Sequence, residues 1–421
     1  MLTNILTQSL WRDEAFSVLL GIKNFGEIIS ITAKDFSPPL YYFLLHLWMK
    51  IFGSSEIAVR SLSVLFLILT AASTYILAKK IFSKKVGLLA SALVLLNPFL
   101  FYYSFEARFY TLLCFLATLS FYFLITERWP LFVLFSLLGL YTHNFMIFSL
   151  AGAVLAYVLL KGFEKKQLLV LSLGTVAVGF SPWIAVLFSQ TKSVASGFWI
   201  QRPGIEDILR AVVQFMLGPL GNCSPYLIFA ALALLLFALS QAGRLKRTPK
   251  ALLVWASAPF FLSILVSYLV PIFLPRYLIF MIPPLMMVLA FILLRTPARI
   301  PLIGVLLIFF LVRDFQLWQN PNKFPIREEV AALSQSWSGE LIICESILNF
   351  FEVKYYLLRS NPAAVESLRL LSSGKLTFAG GALVEEEELI ENPPQGSYFW
   401  MDIDGNVSYE FGGFSFNPAF Q

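Results

Sequence analysis

WPLFVLFSLLGLYTHNFMIFSLAGAVLAYVLL, residues 129–160, is a run of 32 nearly unbroken apolar residues, interrupted once at Thr142-His143-Asn144. A bilayer core takes roughly 20 apolar residues per helix. The run therefore reads as two short helices that turn at the three polar residues. Outward from it, further apolar segments fall at about 57–78, 86–104, 107–125, 168–189, 224–240, 252–272, 276–294 and 300–318. With the hairpin they make ten spans. Composition agrees: 58% of the 421 residues are hydrophobic and 13% charged, with a mean hydropathy of +0.77. Soluble domains carry about one quarter charged residues, so the chain is mainly α, a polytopic helical membrane protein.

The loop charges orient it. Lys and Arg mark cytoplasmic loops, and 14 of them (Lys79, Lys80, Lys84, Lys85, Arg128, Lys161, Lys165, Lys166, Arg244, Lys246, Arg247, Lys250, Arg295 and Arg299) fall on one side when the helices are threaded alternately. The opposite loops hold five: Arg108, Lys192, Arg202, Arg210 and Arg276. Residues 1–56 and 319–421 are therefore expected outside, flanking a membrane domain at 57–318. An external start with no span or signal peptide before it predicts that a first helix is missing from this chain. Two amphipathic pieces, about 14–31 and 39–52, are expected to lie on the outer surface, with Tyr41, Tyr42 and Trp48 at headgroup level.

After PNKFP (321–325) the pattern changes. Helix-like REEVAALSQSW and FFEVKYYLLRS alternate with strand-like ELIICES, KLTFAG, SYFWMDI and VSYEF, which predicts a small α/β extracytoplasmic domain. Residues 1–322 carry 25 Lys+Arg against 11 Asp+Glu, and 323–421 carry 6 against 14. The basic residues sit in loop clusters rather than on one stripe, which argues against a nucleic-acid partner. Cys114, Cys223 and Cys344 lie far apart, without ligand spacing.

Charges placed beside hydrocarbon need a partner or a purpose. In WRDEAF, residues 11–16, Asp13 and Glu14 stand together between Trp11 and an apolar stripe that opens at Ala15 and Phe16. A partly desolvated carboxylate makes a better base; the alternative is a solvated loop pair. In YYSFEARFYTL (102–112), Glu106, Arg108 and Tyr110 sit at an outer turn. A helix beginning near Ala107 would set Arg108 in its first turn, where a guanidinium and the helix dipole suit a phosphate. The alternative there is a Glu106–Arg108 ion pair closing the turn. Arg276 and Tyr277 open a helix after Pro275, either as a snorkelling arginine or as an anion contact. His143 marks the outer turn of the hairpin, as a polar cap or a participant. The rigid turn Asp35-Phe-Ser-Pro-Pro39 could present Asp35 or Ser37 to the same place.

These segments, together with FSPPLYYFLLHLW, FGSSEIAVR, YTHNF and PRYLIFMIPP, resemble the GT-C glycosyltransferases over about residues 8–295. The likeness is strongest to the protein O-mannosyltransferase-like and aminoarabinose-transferase-like branch. The resemblance implies an enzyme of a prokaryotic plasma membrane, acting at its outer face. It would take a sugar from a polyprenyl-phosphate carrier and pass it to an acceptor protein, lipid or glycan. It further implies Asp13 as base on the acceptor hydroxyl or amine, with Glu14 its motif neighbour. Arg108, Arg276 and Tyr277 would hold the donor phosphate, with Glu106 and His143 at family positions of less defined role. Guanidinium groups can stabilise a departing lipid phosphate without an obligatory metal, and a base on the opposite face of the anomeric carbon favours inversion. No cofactor is required by this reading. Ser37 stands where relatives frequently carry His or an acidic group before Pro-Pro, which leaves a divalent metal open. The competing classes are a transporter or flippase of polyprenyl-linked saccharides and a non-catalytic glycolipid-binding relative. The enzyme reading depends on Asp13 converging with Arg108 and Arg276.

Overall fold

The computed structural model describes residues 4–196, 199–221, 223–242, 245–372, 380–411 and 414–416. The chain divides into two compact units, one made of 1–36, 42–59 and 320–421, the other of 37–41 and 60–319.

The chain begins with α1 (Arg12–Ile22), α2 (Phe25–Lys34) and α3 (Leu40–Phe52). The single piece expected over 14–31 is two helices, and the cause is local. Asn24 Oδ1 accepts the Glu27 N–H at 3.0 Å while Glu27 Oε2 accepts the Asn24 N–H at 2.9 Å. This reciprocal cap starts a new helix in mid-stripe. The third helix stops at Gly53, whose φ of +80° admits little else than glycine.

The second unit is helical throughout. Its elements are α4 (Glu56–Ile81), α5 (Lys84–Leu95), α6 (Pro98–Ser104), α7 (Tyr110–Ile125), α8 (Trp129–Leu140), α9 (Met146–Lys161) and α10 (Lys166–Ser196). There follow α11 (Ile205–Leu217), α12 (Pro225–Ala242), α13 (Arg247–Ser267), a 3₁₀ turn Pro275–Met281 leading into α14 (Ile282–Arg295), and α15 (Arg299–Gln319). All ten apolar runs are helical, but they are unequal. Among the described residues five helices are long and apolar enough to cross a membrane, six if the α5–α6 pair counts as one bent span. That pair bends by 54° at Asn97-Pro98, where proline cannot donate and the residue before it leaves the helical region. The 16-residue helices α7 and α9 rise only about 24 Å, short of a hydrocarbon core of roughly 30 Å. They and the 12-residue α8 end at the polar turns 105–109 and 141–145.

In this unit the outer faces are apolar as well as the interior. On α10, α13 and α15, Val178, Phe188, Phe261, Leu265, Ile300 and Val305 are all more than 60% exposed. Apolar surface of that extent belongs against lipid, and the chain is an integral membrane protein. Small residues pack the interior. A Cβ on Gly152 of α9 would meet the Trp255 carbonyl oxygen of α13 at 2.8 Å, and Trp255 stacks on Phe121 of α7 at 4.1 Å.

The tail gives α16 (Ile326–Ser336), β1 (Leu341–Cys344), α17 (Ile347–Ser360), β2 (Leu368–Leu371), β3 (Leu389–Ile390), β4 (Tyr398–Met401), β5 (Val407–Phe411) and β6 (Phe414–Phe416). The sheet order is β3-β2-β1-β4-β5-β6. Strands β3, β2, β1 and β4 run parallel, and β5 and β6 add antiparallel. Helix α17 is the β1–β2 crossover; it buries Phe350, Phe351, Val353 and Leu357 and packs on α1 and α16. The α/β expectation holds. The expected strand KLTFAG lies, apart from Gly380, outside the described residues, and the short β2, β3 and β6 went unforeseen.

Candidate functional site

In the helical unit three distant segments meet at one place. The turn 105–109, between α6 and α7, is fastened to α4. Ser63 Oγ donates to the carbonyls of Glu106 (2.6 Å) and Arg108 (3.2 Å), and Thr111 Oγ1 donates to the Ser63 carbonyl at 2.9 Å. The turn tightens further through Arg108 N–H on the Glu106 carbonyl at 2.7 Å. Helix α7 therefore starts at Tyr110 with Phe109 as its N-cap residue. Arg108 stands just before the helix rather than in its first turn, because its backbone is committed to the turn and to Ser63.

His143 supplies the second segment. Its ring stacks on Phe109 with centroids 4.4 Å apart and planes inclined 26°, and it lies 4.7 Å from the Tyr277 ring. Its Nδ1 accepts the Phe145 N–H at 3.2 Å, so the ring proton resides on Nε2. Burial, reinforced by the positive charges of Arg108 and Arg276, holds the imidazole below its usual pKa and keeps it neutral. The third segment is Pro275-Arg276-Tyr277. The Arg276 guanidinium lies 6.0, 5.9 and 5.8 Å from the ring centroids of Tyr110, Trp199 and Tyr277, and that of Arg108 lies 4.9 Å from Phe109. Aromatic rings at these distances attract a guanidinium through the negative faces of their π systems, and its planar fork suits a phosphate. Arg108, Tyr110, His143, Arg276 and Tyr277 are thus brought together, with Glu106 beside them in the turn. Two guanidinium groups about a neutral imidazole, walled by aromatics, can take an oxyanion of phosphate type.

The other unit holds the N-terminal carboxylates. Asp13 and Glu14 both fall in the first turn of α1, and their surroundings differ. Glu14 is fully buried. Its Oε2 accepts the Trp11 N–H at 2.9 Å and Lys323 Nζ at 2.7 Å. Glu352 of α17 shares this pocket: burial foremost lifts its pKa to about 8, with Arg12 and Lys323 opposing and Glu14 adding to the rise. Asp13 is half-buried, and its carbonyl accepts Ser17 Oγ at 2.8 Å. Asp35, buried at the end of α2, accepts the Gly380 N–H at 3.0 Å, an anchoring contact. Ser37 is buried as well and belongs to the helical unit. Glu56, from FGSSEIAVR, gathers Arg327 (3.3 Å), Arg359 (3.2 Å) and the Tyr356 hydroxyl (3.1 Å). Burial raises its pKa, but its own backbone N–H, Arg359 and Tyr356 bring the balance below the ordinary carboxylate value.

Several residues escaped the sequence reading. Phe109 and Trp199 are walls of the arginine cluster, and a lone aromatic in an apolar chain carries no signal. Lys323 was detectable as the first cation of an acidic tail. Arg60 and the Arg313-Asp314 pair are charges within apolar runs, which is itself a signal. Arg313 caps the end of α11 through Nε to the Leu217 carbonyl at 2.9 Å. Among the described residues no group of three or more His, Cys, Asp or Glu could hold a metal ion.

Residues 37–186 match the family model described as dolichyl-phosphate-mannose-protein mannosyltransferase. No curated protein matches the chain in sequence. Among solved structures, ArnT from Cupriavidus metallidurans in the apo state superposes with a TM-score of 0.68 at 13% identity, over 94% of this chain and 90% of that one. The same protein bound to undecaprenyl phosphate gives 0.65 at 12%, with the same coverage. The archaeal oligosaccharyltransferase AglB from Archaeoglobus fulgidus, in complex with an inhibitory peptide and a dolichol-phosphate, gives 0.52 at 10%, over 96% of this chain and 71% of that one. The matched segment contains the turn 105–109 and His143. The structural likeness extends the shared fold across the rest of the chain.

Proposed function

We propose that this chain, a GT-C superfamily membrane protein of mannosyltransferase- and ArnT-like fold, is an inverting glycosyltransferase that uses a polyprenyl-phosphate sugar. The observation that carries the reading is the meeting of Arg108, His143 and Arg276 within the helical unit. Those three residues come from segments far apart in sequence, and they form a cationic, aromatic-walled setting suited to a lipid phosphate. The undecaprenyl phosphate and dolichol-phosphate named with the ArnT and AglB structures support a donor of the same class.

In this reading Arg108 and Arg276 bind the donor phosphate and take up the charge that develops as the C1–O bond breaks. Preorganised donors of that kind lower such a barrier without moving during the reaction. Tyr277 and Tyr110 hold Arg276, and His143 and Phe109 hold the Arg108 turn. Asp13 accepts the proton of the attacking acceptor hydroxyl or amine as the new bond forms on the opposite face of C1, so the anomeric configuration inverts. Glu14, sealed against Lys323, positions the start of α1 and takes no proton from the acceptor. The reaction takes place at the outer face of a prokaryotic plasma membrane, on an acceptor protein, lipid or glycan.

The test is transfer by the purified full chain from radiolabelled polyprenyl-phosphate sugars to membrane acceptors. Asp13→Asn should abolish transfer while donor binding persists. Undiminished transfer by this variant would remove Asp13 from catalysis, and donor binding without turnover in the wild-type chain would favour a binding protein. Movement of intact donor across vesicles would favour the transporter class. Arg60 and Arg313-Asp314 sit towards the ends of α4 and α15 that adjoin the expected external segments, not at span centres, where transport residues collect.

A further inference from the structure

At the end of α4 away from Ser63, a cavity of about 520 Å³ opens between the α4–α5 junction, the start of α13 and the α14–α15 junction. Lys85, Lys246, Arg295 and Arg299 line it, with the hydroxyl-bearing Ser83 and Thr248, and none of its lining residues is acidic. The Arg295 guanidinium carbon lies 4.2 Å from the centroid of Phe291. Phe291 in turn packs on Phe82 with ring centroids 4.7 Å apart. Three helices begin here: α5 at Lys84 after its N-cap Ser83, α13 at Arg247 after Lys246, and α15 at Arg299. None carries an acidic residue in its first turn. Helix starts carry partial positive charge and favour acids, so this placement sets cations against three dipoles and against one another. An anion in the cavity satisfies all of these charges at once.

We propose that this cavity binds the phosphate headgroup of an anionic phospholipid in the cytoplasmic leaflet. Its four cations belong to the loops whose Lys and Arg excess marks that side, and basic pockets between helices are suited to such headgroups. A lipid fits better than a soluble phosphate because apolar Ile81, Val86 and Leu294 share the lining. On the adjoining helices α4 and α5, Ile76 and Leu88, 46% and 55% exposed, offer apolar surface to acyl chains. The bound lipid would fasten α5, α13 and the α14–α15 junction together. The proposal is independent of the transfer reading, since it concerns neither Asp13 nor the Arg108–Arg276 cluster.

The experiment is thermal unfolding of the detergent-purified full chain with added phosphatidylglycerol, cardiolipin, phosphatidylcholine or inorganic phosphate, with native mass spectrometry of retained lipid. The anionic lipids should raise the melting temperature and remain bound, and phosphatidylcholine and inorganic phosphate should do neither. The variant Lys85→Gln/Lys246→Gln/Arg295→Gln/Arg299→Gln should bind anionic lipid at least about tenfold more weakly. The milder Arg295→Gln/Arg299→Gln should show part of that loss. A control with Arg128, Lys161, Lys165 and Lys166 changed to Gln should respond like the wild type. Equal lipid response in the pocket variants would overturn the proposal, as would an equal effect of phosphatidylcholine or a full shift from inorganic phosphate.

Discussion

Lys323 Nζ lies 2.7 Å from Glu14 Oε2, with the two side chains 2% and 0% exposed, so the first residues of the tail are tied to the first helix by a sealed ion pair. Removing one partner of such a pair leaves a charge in an apolar setting, at a cost of about 3–5 kcal/mol. Glu14→Ala should therefore lower the melting temperature and yield of the purified protein markedly. The double change Glu14→Met/Lys323→Met should recover most of the loss, because no charge is left behind. Asp13→Asn, one residue away and half-buried, should melt close to the wild type. If it melts as low as Glu14→Ala, the two carboxylates do not divide their roles as described.

Glu352 makes the same neighbourhood sensitive to pH. Its carboxyl starts from an ordinary value of 4.5 and is raised to about 8, chiefly by burial. An acid whose pKa is higher in the folded chain binds its proton more tightly there. Its contribution to stability is then complete below about 4.5 and is lost as pH rises through about 8. Arg12, Glu14 and Lys323 are the charged groups that act on it. Melting temperatures taken from pH 5 to pH 9 should fall across this window, and Glu352→Gln should flatten the profile and stabilise the chain at the alkaline end. A wild-type profile that rises over the same range would contradict the assignment.

The aromatic setting of Arg276 allows the snorkelling explanation to be tested directly. A snorkelling cation needs only its charge, so Arg276→Lys would be silent. A guanidinium that lies among the rings of Tyr110, Trp199 and Tyr277 and binds phosphate through its planar fork is not replaced by an ammonium. Arg276→Lys and Arg108→Ala should each reduce transfer by roughly 10²–10³-fold, the range found for loss of one charge-stabilising donor. Trp199→Ala should weaken donor use less, since it removes one wall and no charge. Steady-state transfer rates against donor concentration would decide this, and wild-type rates for Arg276→Lys would return Arg276 to the snorkelling role.

The helical fold was legible because hydrocarbon runs near 20 residues have few other uses. Span length was not: Asn97-Pro98 bends one run, and the short α7, α8 and α9 stop where polar turns are fastened by Ser63 and by His143. The Ser63 bonds join residues more than 40 positions apart, and periodicity reports nothing at that range. The arginines and His143 were legible as charges or polar groups out of place in apolar surroundings. Glu14 misled for a related reason. An acidic pair in sequence does not reveal which member finds a cation 309 residues later, and only packing separated it from Asp13.

His143 combines a structural and a chemical role, and two substitutions separate them. Its Nδ1 accepts the Phe145 N–H at 3.2 Å and so holds the turn that leads into α9, while its ring, stacked on Phe109, steadies the turn that carries Arg108. Asparagine can replace the acceptor, because a short side-chain oxygen accepts a nearby backbone N–H in the same way, but it cannot replace the stacking face. Phenylalanine keeps a face and loses the acceptor. If His143 acts by positioning Arg108, both variants should bind donor more weakly, through KM more than kcat, and His143→Ala should be worse than either. The imidazole is held neutral by burial and by the two arginines, so the pH profile of transfer between 5 and 8 should show no inflection that disappears in His143→Asn. An inflection removed by that substitution would instead make His143 a proton carrier in the reaction.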